Sequence, residues 1–99
     1  MIIVAGTARV PTENMSRWRD GAAAVIAETR KEAGCRIYSF AEDVLEPGLI
    51  RMFEVWETRD HLQAHSRAPH LTTWREVLAE VKAYDRNLMT YEAGEGTPL

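Results

Sequence analysis

The chain has 99 residues, 45% of them apolar and 27% charged, with a formal net charge of -3 and a single cysteine. That length predicts one domain over residues 1–99 with a small core, and a short chain of this kind often gains stability by burying more surface in an oligomer. The acidic balance and scattered arginines argue against a nucleic-acid partner, and the lone Cys35 excludes an internal disulfide. No run is long enough for a membrane span, and the apolar start lacks the basic region of a signal peptide, so a cytoplasmic protein is expected.

Ile2 to Val10 reads as a strand, near-continuous in small and β-branched residues and ending at Pro11. Thr12 is a plausible cap for the helix that follows. Met15, Trp18, Ala22, Val25, Ile26, Thr29 and Ala33 recur at spacings of three and four, predicting one apolar face of a long helix that stops at Gly34. Gly21 inside this helix costs about 1 kcal/mol against alanine, which points to a close contact there.

Cys35 to Asp43 reads as a second strand, Glu46-Pro47-Gly48 as a turn, and Leu49 to Glu57 as a third strand, so the two runs predict a hairpin. In the third, Ile50, Met52, Glu54 and Trp56 share one side while Arg51, Phe53 and Val55 share the other. Thr58 suits the cap of a short helix to about Arg67. Pro69 suits the first turn of another, carrying a stripe of Leu71, Trp74, Val77, Leu78 and Val81. Asn87 to Ala93 reads as a last strand, and residues 94–99 as a tail.

The order β-α-β-β-α-β predicts an α+β, ferredoxin-like fold: one antiparallel sheet with the helices on one face. The other face needs a cover. Val4, Gly6, Ala8 and Val10 are too apolar to meet water, so that side of the first strand is assigned to a partner chain. A homodimer through the sheet face, forming a dimeric α+β barrel, is the economical arrangement.

The stretches KEAGCRIYSF (Lys31 to Phe40) and FEVWETRDHLQAHSRAPHLTTW (Phe53 to Trp74) carry Gly34-Cys35, Tyr38, Glu54, Trp56-Glu57, His61-Leu62, His65 and Pro69-His70. In this pattern and in element order along the whole chain, the sequence resembles the antibiotic biosynthesis monooxygenase family, most closely its quinol monooxygenase-like members. The resemblance implies a small aromatic or quinol-like substrate oxidised with O₂ without a cofactor, in a pocket between sheet and helices. Haem-degrading relatives place an Asn on the first strand and a proximal His ten residues after the pocket aromatic; this chain has Thr7 and Arg75 there, which weighs against haem.

All three histidines lie between His61 and His70. His61 and His65 are four apart on one helix face, a spacing that seats a metal in other proteins, but no HExxH motif or cysteine pair accompanies it, so no metal is assigned. Leu62 and His65 are three apart, so a helix that buries Leu62 turns His65 inward. His65 is the candidate base for a phenol, against the alternative of a helix-packing residue. His61 is expected to face solvent and His70 to serve the helix start. Trp74, Phe53, Tyr38 and Thr7 are the candidate pocket walls. Glu54 reads as structural or interfacial: if buried it needs a partner, for which Arg51 or Arg36 is available from a neighbouring strand or a partner chain, and Cys35 reads as an inert core thiol. Two other functions stay open: a non-catalytic, stress-associated dimer that binds a small molecule, and an isomerase on the same fold.

Overall fold

A computed structural model describes residues 1–99. Four strands, β1 (Ile2–Arg9), β2 (Cys35–Glu42), β3 (Leu49–Trp56) and β4 (Tyr84–Glu92), form one antiparallel sheet in the order β2-β3-β1-β4. Helices α1 (Met15–Thr29), α2 (Arg59–Ser66) and α3 (Pro69–Glu80) complete the ferredoxin-like α+β fold. No helix is long and apolar enough to cross a membrane.

The first helix is shorter than its apolar stripe predicts. Residues Thr12–Asn14 form a 3-10 turn, and Asn14 Nδ2 donates to the Val81 carbonyl at 3.0 Å instead of capping α1. At the other end the chain leaves the helix at Thr29 through tight turns, with Lys31 N donating to Glu28 O and Glu32 N to Thr29 O. Glu32 therefore sits in a connection rather than on a helix, and this places it beside α2. The predicted caps of the later helices hold: Thr58 Oγ1 accepts from His61 N at 3.2 Å, and Pro69 opens α3.

Gly21 marks the contact its cost implied. A Cβ there would lie 2.6 Å from Val77 Cγ1 and 3.1 Å from Trp74, so only glycine lets α1 and α3 approach this closely. Trp18, Ala22, Val25, Leu71, Trp74 and Val77 join Ile2, Val4, Ile50 and Trp56 of the sheet in the core.

The assignment of the faces of β1 is reversed. Val4 pairs with Glu54, Gly6 with Met52 and Ala8 with Ile50, so this side lies under the helices and not against a partner. The outward side carries Ile3, Ala5 and Thr7, flanked by Val55 and Phe53 of β3 and by Tyr91 and Met89 of β4. A strand apolar on both sides has no period with which to choose a face. The choice is made by β3, whose Ile50, Glu54 and Trp56 are all buried.

Candidate active site

A cavity of about 670 Å³ opens between the sheet and the helices, within the range usual for small-molecule sites. Its walls are mainly apolar, with a cluster of aromatic rings on one side. Phe40 stacks on Trp74 with ring centres 5.8 Å apart and planes at 25°, and Trp18 closes on both at 6.2 and 6.3 Å. Tyr38 joins this group to a second one, lying 5.1 Å from Phe40, 5.2 Å from His65 and 6.4 Å from Trp56.

His65 is buried on the cavity wall, its ring 4.7 Å from that of Trp56. Leu62 lines the same cavity, as their spacing on α2 requires. His65 Nδ1 lies 2.7 Å from Glu32 Oε2, and His70 Nε2 lies 2.8 Å from the same oxygen. A carboxylate only accepts, so each imidazole donates from the nitrogen that faces Glu32. This assigns the Nδ1–H form to neutral His65 and leaves Nε2, which has no partner within the chain, as the lone pair available to a ligand. The pattern is that of a base held in one tautomer by a carboxylate behind it.

Glu32, His65 and His70 are also the group best placed to hold a metal ion, with donor atoms all within 4.8 Å of one another. Their 2.7 and 2.8 Å separations are hydrogen-bond lengths. Donors 2.0–2.1 Å from a tetrahedral zinc stand about 3.3 Å apart, so the cluster as folded is organised around shared protons.

The three histidines thus divide differently from expectation. His61 is half-buried: its Nδ1 meets Thr58 Oγ1 at 2.8 Å, and its ring covers Gly34, where a Cβ would come within 2.2 Å of the ring. It shares no ligand with His65. His70, assigned to the helix start, is instead a second donor to Glu32.

Glu54 is the other acid of the cavity. It is buried and accepts from Trp56 Nε1 at 2.9 Å. The arginines named as its partners are engaged elsewhere, Arg51 with Asp43 and Arg36 with Glu95. Burial pushes the Glu54 carboxyl up from its ordinary range, and the Trp56 indole, His65 and Arg86 offset only part of that rise. Burial likewise pushes the Tyr38 phenol well above its usual value, with Glu54 adding to the shift, so Tyr38 stays neutral and serves as wall and dipole. Burial raises the Cys35 thiol too, which keeps it unreactive.

Of the residues singled out in the sequence, His65, Trp74 and Tyr38 line the cavity. Phe53 and Thr7 do not. Both project from the opposite face of the sheet, where Phe53 pairs with Ala5 and Thr7 with Arg51 and Asn87. Phe40 takes the place given to Phe53, and its signal was present: it alternates in phase with Tyr38. Glu32 had no such signal, because its role depends on where α1 ends.

Comparison with known proteins agrees with this architecture. The family model described as antibiotic biosynthesis monooxygenase matches residues 1–77. The chain is 30% identical over 98 residues to the uncharacterized protein sll1783 of Synechocystis sp., covering 99% of this chain and 67% of that protein. A crystal structure from Deinococcus radiodurans, named for the same family, superimposes with a TM-score of 0.92 at 28% identity, covering 100% of this chain and 98% of that one. A conserved protein of Methanosarcina mazei gives a TM-score of 0.84 at 25% identity over 94% of this chain and 92% of its own. With a family model matching residues 1–77 and a 30%-identical relative that aligns with almost all of this chain, the chain belongs to the antibiotic biosynthesis monooxygenase family.

Proposed function

We propose that the protein is a homodimeric, cofactor-independent monooxygenase acting on a quinol or polyphenol. The observation that carries this reading is the Glu32–His65 pair set in the wall of an apolar cavity with an aromatic cluster: a base with one nitrogen tied to a carboxylate and the other free. A quinol lying along Phe40 and Trp74 would present a hydroxyl to His65 Nε2. Phenols ionise near pH 10, so at neutral pH a positioned imidazole lowers the barrier to forming the phenolate. Glu32 then stabilises the imidazolium. The electron-rich phenolate reduces O₂ directly, and the balance closes without a further reductant: C₆H₆O₂ + O₂ gives C₆H₄O₃ + H₂O. One oxygen atom enters the ring, the other leaves as water, and the quinol supplies all four electrons.

The dimer belongs to the same proposal. The outward sheet face exposes Ile37, Phe53, Met89 and Tyr91, the last two more than half exposed, beside Ile3 and Ala5. A second copy of the same face is a self-complementary cover.

The test is aerobic product formation from a menadiol-like quinol in metal-free buffer, measured above autoxidation, with ¹⁸O₂ to follow the inserted atom. The expected result is one labelled oxygen per product and loss of most of the rate in His65→Ala. An unchanged rate in that variant would remove His65 from the chemistry, and anaerobic turnover would replace the oxygenase with an isomerase.

A further inference from the structure

The mouth of the cavity is built by an irregularity in β4. Thr7 pairs with Asn87, but Arg9 pairs with Tyr84, so Asp85 and Arg86 together stand opposite the single residue Ala8. Asp85 occupies the left-handed region at φ 51°, three residues after Lys82 does the same at φ 60°. Aspartate tolerates this region better than most side chains, yet the conformation still has a cost, and bulges of this kind re-aim side chains at sheet rims. Here the extra residue changes the phase of the strand. Arg86, Leu88 and Thr90 line the cavity, whereas Tyr84, which an unbroken alternation would add to that side, pairs with Arg9 on the outward face. The bulge thereby takes an aromatic ring out of the mouth and leaves a guanidinium there.

That guanidinium acts on the Glu54 carboxyl only at a distance and has no partner in contact. Arg9, Arg17, Arg19, Arg36, Arg51 and Arg59 each meet a carboxylate. Arg86 forms neither an ion pair nor a hydrogen bond, although it lines a cavity that also contains the carboxyl of Glu54. Glu54 is already bonded to Trp56. A second guanidinium, Arg75, lines the same cavity and is held by the Ser66 carbonyl at 2.8 Å. A chain of net charge -3 therefore gathers two fixed cations around a mostly apolar cleft. Such a cleft suits a ligand that is aromatic over most of its surface and anionic at one edge, and the planar fork of arginine matches a carboxylate by two parallel hydrogen bonds.

We propose that Arg86 is the anion-recognition residue of the cleft, and that the cleft's ligand is an aromatic carboxylate with its ring along Phe40 and Trp74 and its carboxylate at the β4 bulge. The proposal deepens the reading of the site as a quinol pocket and rests on it for the aromatic part of the ligand. It makes the substrate an acidic quinol rather than a neutral one.

The experiment compares 2,5-dihydroxybenzoate with its methyl ester, two ligands with the same ring that differ in one charge. Binding is followed under nitrogen by quenching of the fluorescence of Trp18 and Trp74, in the wild type and in Arg86→Gln, Arg86→Lys and Arg67→Gln. Arg67 is exposed, likewise unpaired, and outside the cavity, so it controls for loss of one positive charge. The wild type is expected to prefer the acid by about tenfold or more, the range for a charge-assisted hydrogen bond. The preference should disappear in Arg86→Gln, survive in part in Arg86→Lys and persist in Arg67→Gln, with thermal melts confirming that all variants fold. Equal binding of acid and ester, no binding of either, or a preference that survives Arg86→Gln overturns the proposal. Because binding is scored without O₂, a lack of oxygenase turnover leaves this result standing. Conversely, turnover of neutral quinols with no preference for the acid defeats the anion site and leaves the oxygenase intact.

Discussion

Glu32 Oε2 accepts hydrogen bonds from two imidazoles that arrive on different helices, His65 Nδ1 from α2 at 2.7 Å and His70 Nε2 from α3 at 2.8 Å. The carboxylate comes from the turns after α1 and reaches His65 across a sequence separation of 33 positions. Three elements meet at this oxygen, so it both ties the helices together and fixes the His65 ring in the cavity wall.

Replacing Glu32 should therefore act on stability and on chemistry at once. Glu32→Ala leaves two partly buried N–H donors unanswered, which costs about 1–3 kcal/mol for each such group. Chemical denaturation should show a lower midpoint. Glu32→Gln keeps an acceptor and much of the stability but removes the charge that stabilises the His65 imidazolium. Turnover of a quinol should fall in Glu32→Gln by more than the modest loss of stability explains. An enzyme that loses stability but keeps its kcat would show Glu32 to be structural only.

Glu54 predicts a pH dependence of stability. Its carboxyl is raised in the folded protein, chiefly by burial, so the unfolded chain gives up that proton first as pH rises. The stability this group contributes is fully present below the ordinary glutamate range and is lost as pH rises through the higher folded value. Glu54→Gln keeps an oxygen for the Trp56 indole and cannot ionise. Its Tm should match that of the wild type near pH 4 and exceed it near pH 8. Parallel melting curves across that span would mean that folding does not raise the Glu54 carboxyl.

Gly21 is a test of the packing of α1 on α3. Gly21→Ala removes the helix cost of glycine but drives a methyl to 2.6 Å from Val77 Cγ1. Overpacking of this kind typically costs about 1–3 kcal/mol and outweighs the gain in helix propensity. Val77→Ala opens a void of its own, yet in the double variant Gly21→Ala/Val77→Ala the methyl fits. A double-mutant cycle should give a favourable coupling between the two sites, and strict additivity would show that the helices part instead.

Phe53 and Tyr91 address the outward face of the sheet. Phe53→Asp changes a residue 42% exposed that takes no part in the core cluster, so the fold of one copy should survive. Sedimentation should report a dimer for the wild type and a monomer for the variant. A wild type that remains monomeric at micromolar concentration would require a different cover for this face.

Much of the architecture follows from local pattern. The spacing of Met15, Trp18, Ala22 and Val25 marks α1, the alternation of Ile50, Met52, Glu54 and Trp56 marks the inward side of β3, and Thr58 and Pro69 start their helices where expected. The inward turn of His65 is legible for the same reason, because Leu62 lies one helical step away and shares its face. These features depend on neighbours a few residues apart, where helix and strand geometry makes the burial of one residue a statement about the next. The rest depends on contacts that no local period encodes. A strand apolar on both sides, such as Ile2 to Val10, does not state which side meets the helices; pairing with Glu54 and Trp56 decides it, and with it the removal of Thr7 and Phe53 from the cleft. The last strand begins at Tyr84 rather than Asn87, and the bulge at Asp85 and Arg86 turns Tyr84 outward while Arg86 stays in phase with Leu88 and Thr90 on the cavity side. Glu32 finds His65 and His70 only because α1 ends at Thr29, several residues before its apolar stripe does. The sequence by itself determined the fold, the family resemblance and the histidine that faces the cavity. Tertiary structure decided the carboxylate behind that histidine and the charges around the cavity, because hydrogen bonds and ion pairs are set by distance in space and not by separation along the chain.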